Sequence, residues 1–385
     1  MKMATLKEVA PACAAKLPLR STDLVWQLNL DQIESESGRI LKKVTGPYSK
    51  SGSSTQLFDT QNVLYSKLRP YLNKVVCPDD SGVATTELVP LRPDPTRLDR
   101  RFLTHYLRSP QFVRWISNEV AGAKMPRVSM NVFWGHQIPL PPLEKQKRIA
   151  AILDAAAELR TKRRESLAQL DTLLQSTFLD LFGDPVTNPK EWEEKLLSEV
   201  VRPGTIVTYG IVQAGDEFSG GIPYIRTGDI VDGEIVQNGL RHTNPAIASK
   251  FERSRVDAGD IVMSIRATVG TTAVVPPSLD GANLTQGTAR IAPGPDALLP
   301  FLLHYLRSHG AQRWIQRQVK GATFKEITLG RLRELPVLLP PIAIQKKFGE
   351  IVAQIEERRL LERNQLEELD HLFASLQSRA FRGEL

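Results

Sequence analysis

The pentapeptide His105-Tyr-Leu-Arg-Ser109 returns as His304-Tyr-Leu-Arg-Ser308, and this repetition constrains the fold more than any compositional figure does. The offset of 199 residues also superposes Trp115 on Trp314, Gly122-Ala123 on Gly321-Ala322, and Leu140-Pro141-Pro142 on Leu339-Pro340-Pro341. It carries Gln146-Lys147 onto Gln345-Lys346 as well. Five blocks in one gapless register over about forty residues mean a tandem duplication, so one half must repeat the architecture of the other. Further upstream the register slips: Ser66 and Arg69 best match Ser264 and Arg266, and the opening parts of the two copies have diverged.

Each copy follows one plan. A globular part rich in Gly, Pro and β-branched residues ends in a proline-marked strand (QIPLPPL, ELPVLLPPI), and a long charged helix follows. Proline stops a strand from continuing and fits the first turn of a helix. The segment FGDPVTNPKEW at 182–192 breaks the first helix through Asp184-Pro185 and Asn188-Pro189, and reads as a linker. The expected layout is a first globular domain at 1–143, a first helix at 144–182, a linker at 183–192, a second globular domain at 193–341 and a second helix at 342–385. The fold class is α+β: two globular α/β domains in tandem duplication, each followed by a long helix.

The helices are built to pair. Ile149, Ile152, Ala156, Leu159, Arg163, Leu167, Leu170 and Leu174 recur at spacings of three and four, a heptad-like seam. The repeat offset places Phe348, Ile351, Ile355, Arg358, Glu362, Leu366, Leu369 and Phe373 along the second seam. A helix over 144–182 would span about 58 Å at ~1.5 Å per residue, too long merely to cover its own domain. Similar repeats tend to pair about a pseudo-two-fold axis, as identical subunits do, which makes the pair an antiparallel coiled coil. Arg163 and Glu362 sit at the midpoints and are expected to meet near the centre of the seam, fixing its register at a cost in desolvation.

Charge points to a polyanion. The chain carries a net +7, and the excess lies in residues 1–143, with 19 Lys/Arg against 12 Asp/Glu. Residues 183–340 are neutral, and the helical segments 144–182 and 341–385 carry +1 and −1, as suits surfaces made for protein contact. Only Cys13 and Cys77 occur, which fits a reducing cytosol and argues against a disulfide framework or a cysteine-rich metal site. No run of about 18 apolar residues is present, and the N-terminus lacks a signal-peptide core. A cytoplasmic protein is expected.

The motifs of catalysis are missing: no GxxxxGK[ST] phosphate loop, no HExxH, no GxSxG elbow and no glycine-rich strand–turn–helix for a nucleotide. His105 and His304 lie in the HYLRS helices, where packing or capping suits them better than chemistry. No catalytic, cofactor-binding or metal-binding residue is therefore assigned. The polar loops look instead like duplex-reading surfaces. They offer Lys67, Arg69 and Lys74 in YSKLRPYLNK, Lys124 and Arg127 in AGAKMPRVS, and Arg226 and Thr227 in YIRTGDI. MSIRATVG adds Arg266, and KGATFKEIT adds Lys320, Thr323 and Lys325. Lys and Arg neutralise phosphates, while Arg and Thr can also reach base edges in the major groove.

With these features in view, the chain resembles the specificity subunits of type I restriction–modification systems over essentially its whole length. The resemblance is carried by PLPPLEKQKRIAAILDAAAELRTKRRESLAQLDTLLQSTFLDLFGDP, by its echo LPPIAIQKKFGEIVAQIEERRLLERNQLEELDHLFASLQSRAFRGEL, and by the duplication itself. It implies two target-recognition domains, each reading one half of a bipartite, asymmetric site on double-stranded DNA, with the helices as the spacer between halves. It also implies two modification (methyltransferase) subunits docked on the helices, which bind S-adenosylmethionine and act on adenine N6, and restriction (motor-nuclease) subunits that cleave. The chain itself would then be non-catalytic and hold no cofactor. The Gly-poor opening at 20–60 departs from its counterpart in the second copy and leaves the first domain's loop assignments less anchored.

Overall fold

The computed structural model describes residues 2–122, 124–321 and 325–385. Two helices dominate it, Leu143–Phe182 and Ile342–Arg382, each starting just after the Pro-Pro pair of its repeat. The chain divides into two compact units, one made of residues 1–165 with 364–385 and the other of residues 166–363. Each unit thus takes the last part of the helix that belongs to the other repeat.

In the first unit a three-stranded sheet, ordered Val75–Val76, Val63–Ser66, Leu88–Leu91, lies at the centre. All four side chains of Val63–Ser66 are buried, which is why this segment lacks the alternation of a strand with one wet face. A four-stranded sheet follows the order Thr45–Pro47, Leu24–Leu28, Gly82–Thr85, Thr55–Phe58, with the middle pair parallel. The strand Met3–Thr5 pairs antiparallel with Gln137–Pro139 and so ties the start of the domain to the foot of its long helix. The second unit repeats the plan. Its central strand Ile261–Ser264 is again wholly buried between Thr272–Val274 and Thr288–Ile291. Ile222–Ile225 runs parallel to Asn283–Leu284, and Glu193–Leu196 pairs with Pro336–Leu339.

The repeated sequence blocks turn out to be fold-holding joints. In HYLRS the serine caps the next helix: Ser109 Oγ accepts from Phe112 N and Ser308 Oγ from Ala311 N, both at 3.3 Å. The arginine clamps a neighbouring strand, Arg108 Nε donating to the Val75 carbonyl at 3.0 Å and Arg307 Nε to Thr272 Oγ1 at 3.0 Å. His105 is buried and its Nε2 meets Asp154 of the long helix at 2.7 Å. Burial alone would push the Asp154 carboxyl up, yet the His105 hydrogen bond and the Arg101 and Arg108 charges hold it below the usual range. His304 packs edge-on against Phe348, and burial pushes its imidazole down to about 4.

The repeated glutamines anchor the helices. Gln146 has no exposed surface; its Oε1 accepts from Asp99 N, and its Nε2 donates to the Arg97 and Pro141 carbonyls, each at 2.9 Å. Gln345 does the same with Leu298 N and the Asp296 and Pro340 carbonyls, again at 2.9 Å. A side chain with one acceptor and two donors is what three converging backbone groups require.

Within each unit the two helices run antiparallel. In the first, Lys145 Nζ donates to the Gly383 carbonyl at 3.3 Å and Arg160 pairs with Asp370. In the second, Arg359 pairs with Asp171 at 3.0 Å, which is the Arg160–Asp370 contact shifted by the repeat offset. The aromatic contacts are reciprocal too. Phe102 meets Phe381 in the first unit at 5.5 Å, and Phe301 meets Phe182 in the second at 4.9 Å. Reciprocity of this kind, i with j and j with i, is the mark of an isologous interface in symmetric dimers.

The seam differs from the expected heptad at two places. Leu159 is 53% exposed, and Arg160 takes the inward position beside it. Arg358 likewise lies outward, its guanidinium 2.6 Å from the fully buried Glu362 carboxylate. The inward phase runs through the fully buried Leu153 and through Arg160 and Arg359, one residue after Ile152, Leu159 and Arg358, so apolar residues one place early draw the expected seam off its true line. Ile149, Ala156, Leu174, Phe348, Ile355 and Glu362 are buried, while Ile152, Arg163, Leu167, Leu170, Ile351, Leu366, Leu369 and Phe373 are half-buried.

Candidate nucleic-acid interface

The central strand of each unit runs straight into a basic loop. In the first unit Ser66 is followed by Lys67, Leu68 and Arg69, and Arg69 adopts a left-handed conformation, φ 49°, before the turn at Pro70–Leu72. A second loop comes alongside it: Arg69 N donates to the Pro126 carbonyl at 2.8 Å and Val128 N to the Lys67 carbonyl at 2.9 Å. That second loop is the ribbon Val120–Ala121 with Arg127–Val128, turned through Gly122 at φ 95°, where a side chain would be strained.

The second unit builds the same bridge. Ala267 N donates to the Lys325 carbonyl and Ile327 N to the Ile265 carbonyl, both at 3.0 Å. Lys320 and Glu326 pair through both backbone bonds, and Gly321 has φ 91° as the partner of Gly122. The bridge corrects the sequence alignment. Leu68 lies opposite Arg127 and Arg266 opposite Glu326, so the counterpart of Arg69 is Ala267, which shares its left-handed backbone, and not Arg266. The two arginines match in residue type, but the hydrogen-bond register sets them one position apart.

The candidate cations fall into three groups. Arg69, Lys124, Lys320 and Lys325 are exposed on the paired loops, and Lys67 is half-buried at their root. Arg127 and Arg266 are exposed but engaged: Arg127 forks onto Glu87 with a closest approach of 3.0 Å, and Arg266 Nε lies 3.0 Å from Glu326. Arg226 forks onto Asp229 at 2.9 and 2.6 Å, and Asp229 is itself nearly buried and accepts from Arg226 N, so this pair holds a turn together. Thr227 is half-buried beside the second bridge: a Cβ added at Gly287 would stand 3.1 Å from Thr227 Cγ2 and 3.9 Å from Arg266 Cβ. Lys74 turns away from the loops, its Nζ donating to the Leu30 carbonyl at 2.6 Å. Thr323 lies outside the described residues.

Sequence reasoning alone leaves Glu87, Glu326 and the exposed Tyr71 on the loop after Arg69 unassigned. No periodic signal marks them, because Glu87 reaches Arg127 only through the fold of the central sheet. Among the described residues no group of three His, Cys, Asp or Glu could hold a metal ion, and no helix is long and apolar enough to cross a membrane.

Comparison with known proteins agrees with this architecture. The chain is similar to the EcoBI specificity subunit of a type I restriction enzyme from Escherichia coli, 27% identical over 317 residues, which covers 75% of this chain and 66% of the relative. It thus spans just under two thirds of that relative's length. A solved chain from work on the assembly and conformational transition of the type I R-M system superposes with a TM-score of 0.60 at 22% identity, covering 100% of this chain and 98% of the other. The S subunit of a type I restriction–modification system from M. genitalium gives 0.57 at 14% identity, covering 99% and 96%. These two likenesses establish the fold. The family model described as the type I restriction modification DNA specificity domain matches twice, at residues 53–169 and 189–371, so the chain belongs to that family.

Proposed function

We propose that this chain is the non-catalytic specificity component of a type I restriction–modification enzyme and that it reads a bipartite, asymmetric site on double-stranded DNA. One half-site falls to each globular domain, through the paired loops 67–69 with 120–128 and 265–267 with 320–327. The observation that carries the reading is the recurrence of one loop bridge, rooted on the buried central strand and lined with exposed Lys and Arg, in both copies. Two reading heads on one chain do the work of a symmetric dimer, yet their loops differ, so the two half-sites need not match. The antiparallel helices act as the spacer. Exposed leucines along them, among them Leu159, Leu173, Leu360 and Leu372, suit the docking of two modification subunits. Those subunits bring S-adenosylmethionine and the methyl transfer, and restriction subunits bring cleavage; the work of this chain is cytoplasmic recognition without a cofactor.

Enrichment from a pool of random duplexes by the chain assembled with its modification subunits tests this. The expected result is one split sequence with a constant gap. Charge reversal at Arg69, Arg266, Lys124 and Lys325 should lower the affinity and flatten its dependence on salt by about 0.9 in log–log slope for each phosphate no longer neutralised. An assembly that enriches no duplex, or a reversed variant that binds as before, would point to a protein scaffold instead.

A further inference from the structure

The two loop bridges share an arginine–glutamate pair that the duplication did not hand down. In the first unit the arginine comes from the second loop, Arg127, and the carboxylate from Glu87 in the turn that leads into Leu88–Leu91. In the second unit the arginine comes from the first loop, Arg266, and the carboxylate from Glu326, which occupies the place of Arg127. Glu87 has Gly287 as its counterpart, since Lys67 N donates to the Glu87 carbonyl at 3.0 Å where Ile265 N donates to the Gly287 carbonyl at 2.9 Å. The same kind of pair has therefore been assembled at the same spot from residues at non-equivalent positions.

We infer that Glu87 and Glu326 are specificity-determining residues, each holding a loop arginine in one aim and masking its charge from phosphate. The inference rests on the proposed reading that these loops face duplex DNA. Both pairs are too exposed to matter much for stability, with side-chain exposures of 48% and 23% in the first and 46% and 45% in the second. Their backbones, by contrast, are rooted, Glu87 on Lys67 and Glu326 on Lys320. A guanidinium held this way must give up a charge-assisted bond to touch a lone phosphate. A guanine edge offers two acceptors in fork geometry and can replace the carboxylate in full. Asp229 does not belong with these two, because it is nearly buried and also accepts from the Arg226 backbone.

The test compares binding of two duplexes, the random pool and the sequence that the wild-type assembly enriches from it, across a salt titration. Glu87→Gln and Glu326→Gln are set against Asp80→Asn. The last breaks the 2.7 Å pair with Lys43 just before strand Gly82–Thr85, whereas Glu87 follows the other end of that strand, and changes net charge equally. Each glutamine variant should bind the random pool up to about five-fold more tightly, the range open to an exposed ion pair. Its salt slope should steepen by about one. The enriched duplex should gain less, so the ratio of the two affinities falls, while Asp80→Asn leaves the ratio in place. A ratio that stays constant in both glutamine variants, or that falls equally in Asp80→Asn, overturns the inference alone. A wild-type assembly that enriches no duplex overturns the proposed function, and this inference with it.

Discussion

Replacing Gln146 by alanine should destabilise the first unit by about 2–4 kcal/mol. The side chain is fully buried and serves the Asp99 N–H and the Arg97 and Pro141 carbonyls. Each buried backbone group left without a partner costs ~1–3 kcal/mol, and water entering the space can rescue the two that are only partly buried. Gln345→Ala should cost the second unit the same, because its three bonds have the same lengths, and the two costs should add across separate units. The isosteric Gln146→Glu should be worse near neutral pH, since it sets a carboxylate against two carbonyl oxygens. Those oxygens raise the folded-state pKa of the new carboxyl above its unfolded value of about 4.3. The variant is then closest to wild type below that value and loses ground as pH rises through the folded pKa. Urea melts give the energies, and amide exchange at Asp99 and Leu298 reports the two sites directly. A loss below about 0.5 kcal/mol, or an Asp99 amide that exchanges as slowly without Gln146, would refute the anchoring role.

Acid should weaken both units. Burial pushes His136 and His304 down to about 4, so between the ordinary imidazole value of about 6.5 and that figure the unfolded chain binds protons that the folded chain refuses. Stability is full above about 6.5 and falls as pH drops through this window, by an amount on the order of 3 kcal/mol for His304 and less for the less deeply buried His136, which phenylalanine at either position should remove, as pH-dependent melts would show. Phe381→Ala and Phe182→Ala should each cost ~3–5 kcal/mol, and near-equal losses in calorimetry are the outcome that reciprocal packing requires. Lys74→Met should lower stability by about 1 kcal/mol through removal of the bond to Leu30 while leaving DNA affinity and salt slope unchanged, and a flatter slope would return Lys74 to the reading surface. Inserting one heptad within 149–174 together with one in 348–373 lengthens the spacer by about 10 Å. The preferred gap in an enriched duplex should then grow by about three base pairs with both half-sites unchanged.

Much of the architecture was legible because its signals run along one dimension. The duplication shows as identity at a constant offset, and the helices show as period and as prolines at their feet. The candidate site was legible only as a set of loops. Where Lys74 sends its ammonium depends on the position of Leu30, which no local pattern encodes, and the partner of Arg127 lies in a turn forty residues earlier. The phenylalanines exchanged between repeats are a different kind of omission. Phe102 with Phe301 and Phe182 with Phe381 are identical under the repeat offset, so the signal was present. A heptad search for a helix–helix seam ends at Leu174 and Phe373, however, and the final turns dock on globular domains instead.

That exchange bears on how a duplicated chain can keep two heads in order while letting them diverge. Leu143–Phe182 leaves the first domain and ends in the core of the second unit, and Ile342–Arg382 returns the favour in the first. Each domain is therefore completed by the helix end of its twin, and a change at Phe182 or Phe381 is felt in the other repeat's core. Such cross-completion constrains the joints, and the joints are where the repeats still agree: the capping serines, the strand-clamping arginines, the buried glutamines and the exchanged phenylalanines. The loops at the other end of the central strands escape this constraint. There the backbone bridge persists while its side chains have been reassigned, down to an arginine–glutamate pair drawn from different positions in each copy. A surface free to vary on a frame that cannot is what the proposed reading of two unlike half-sites would require.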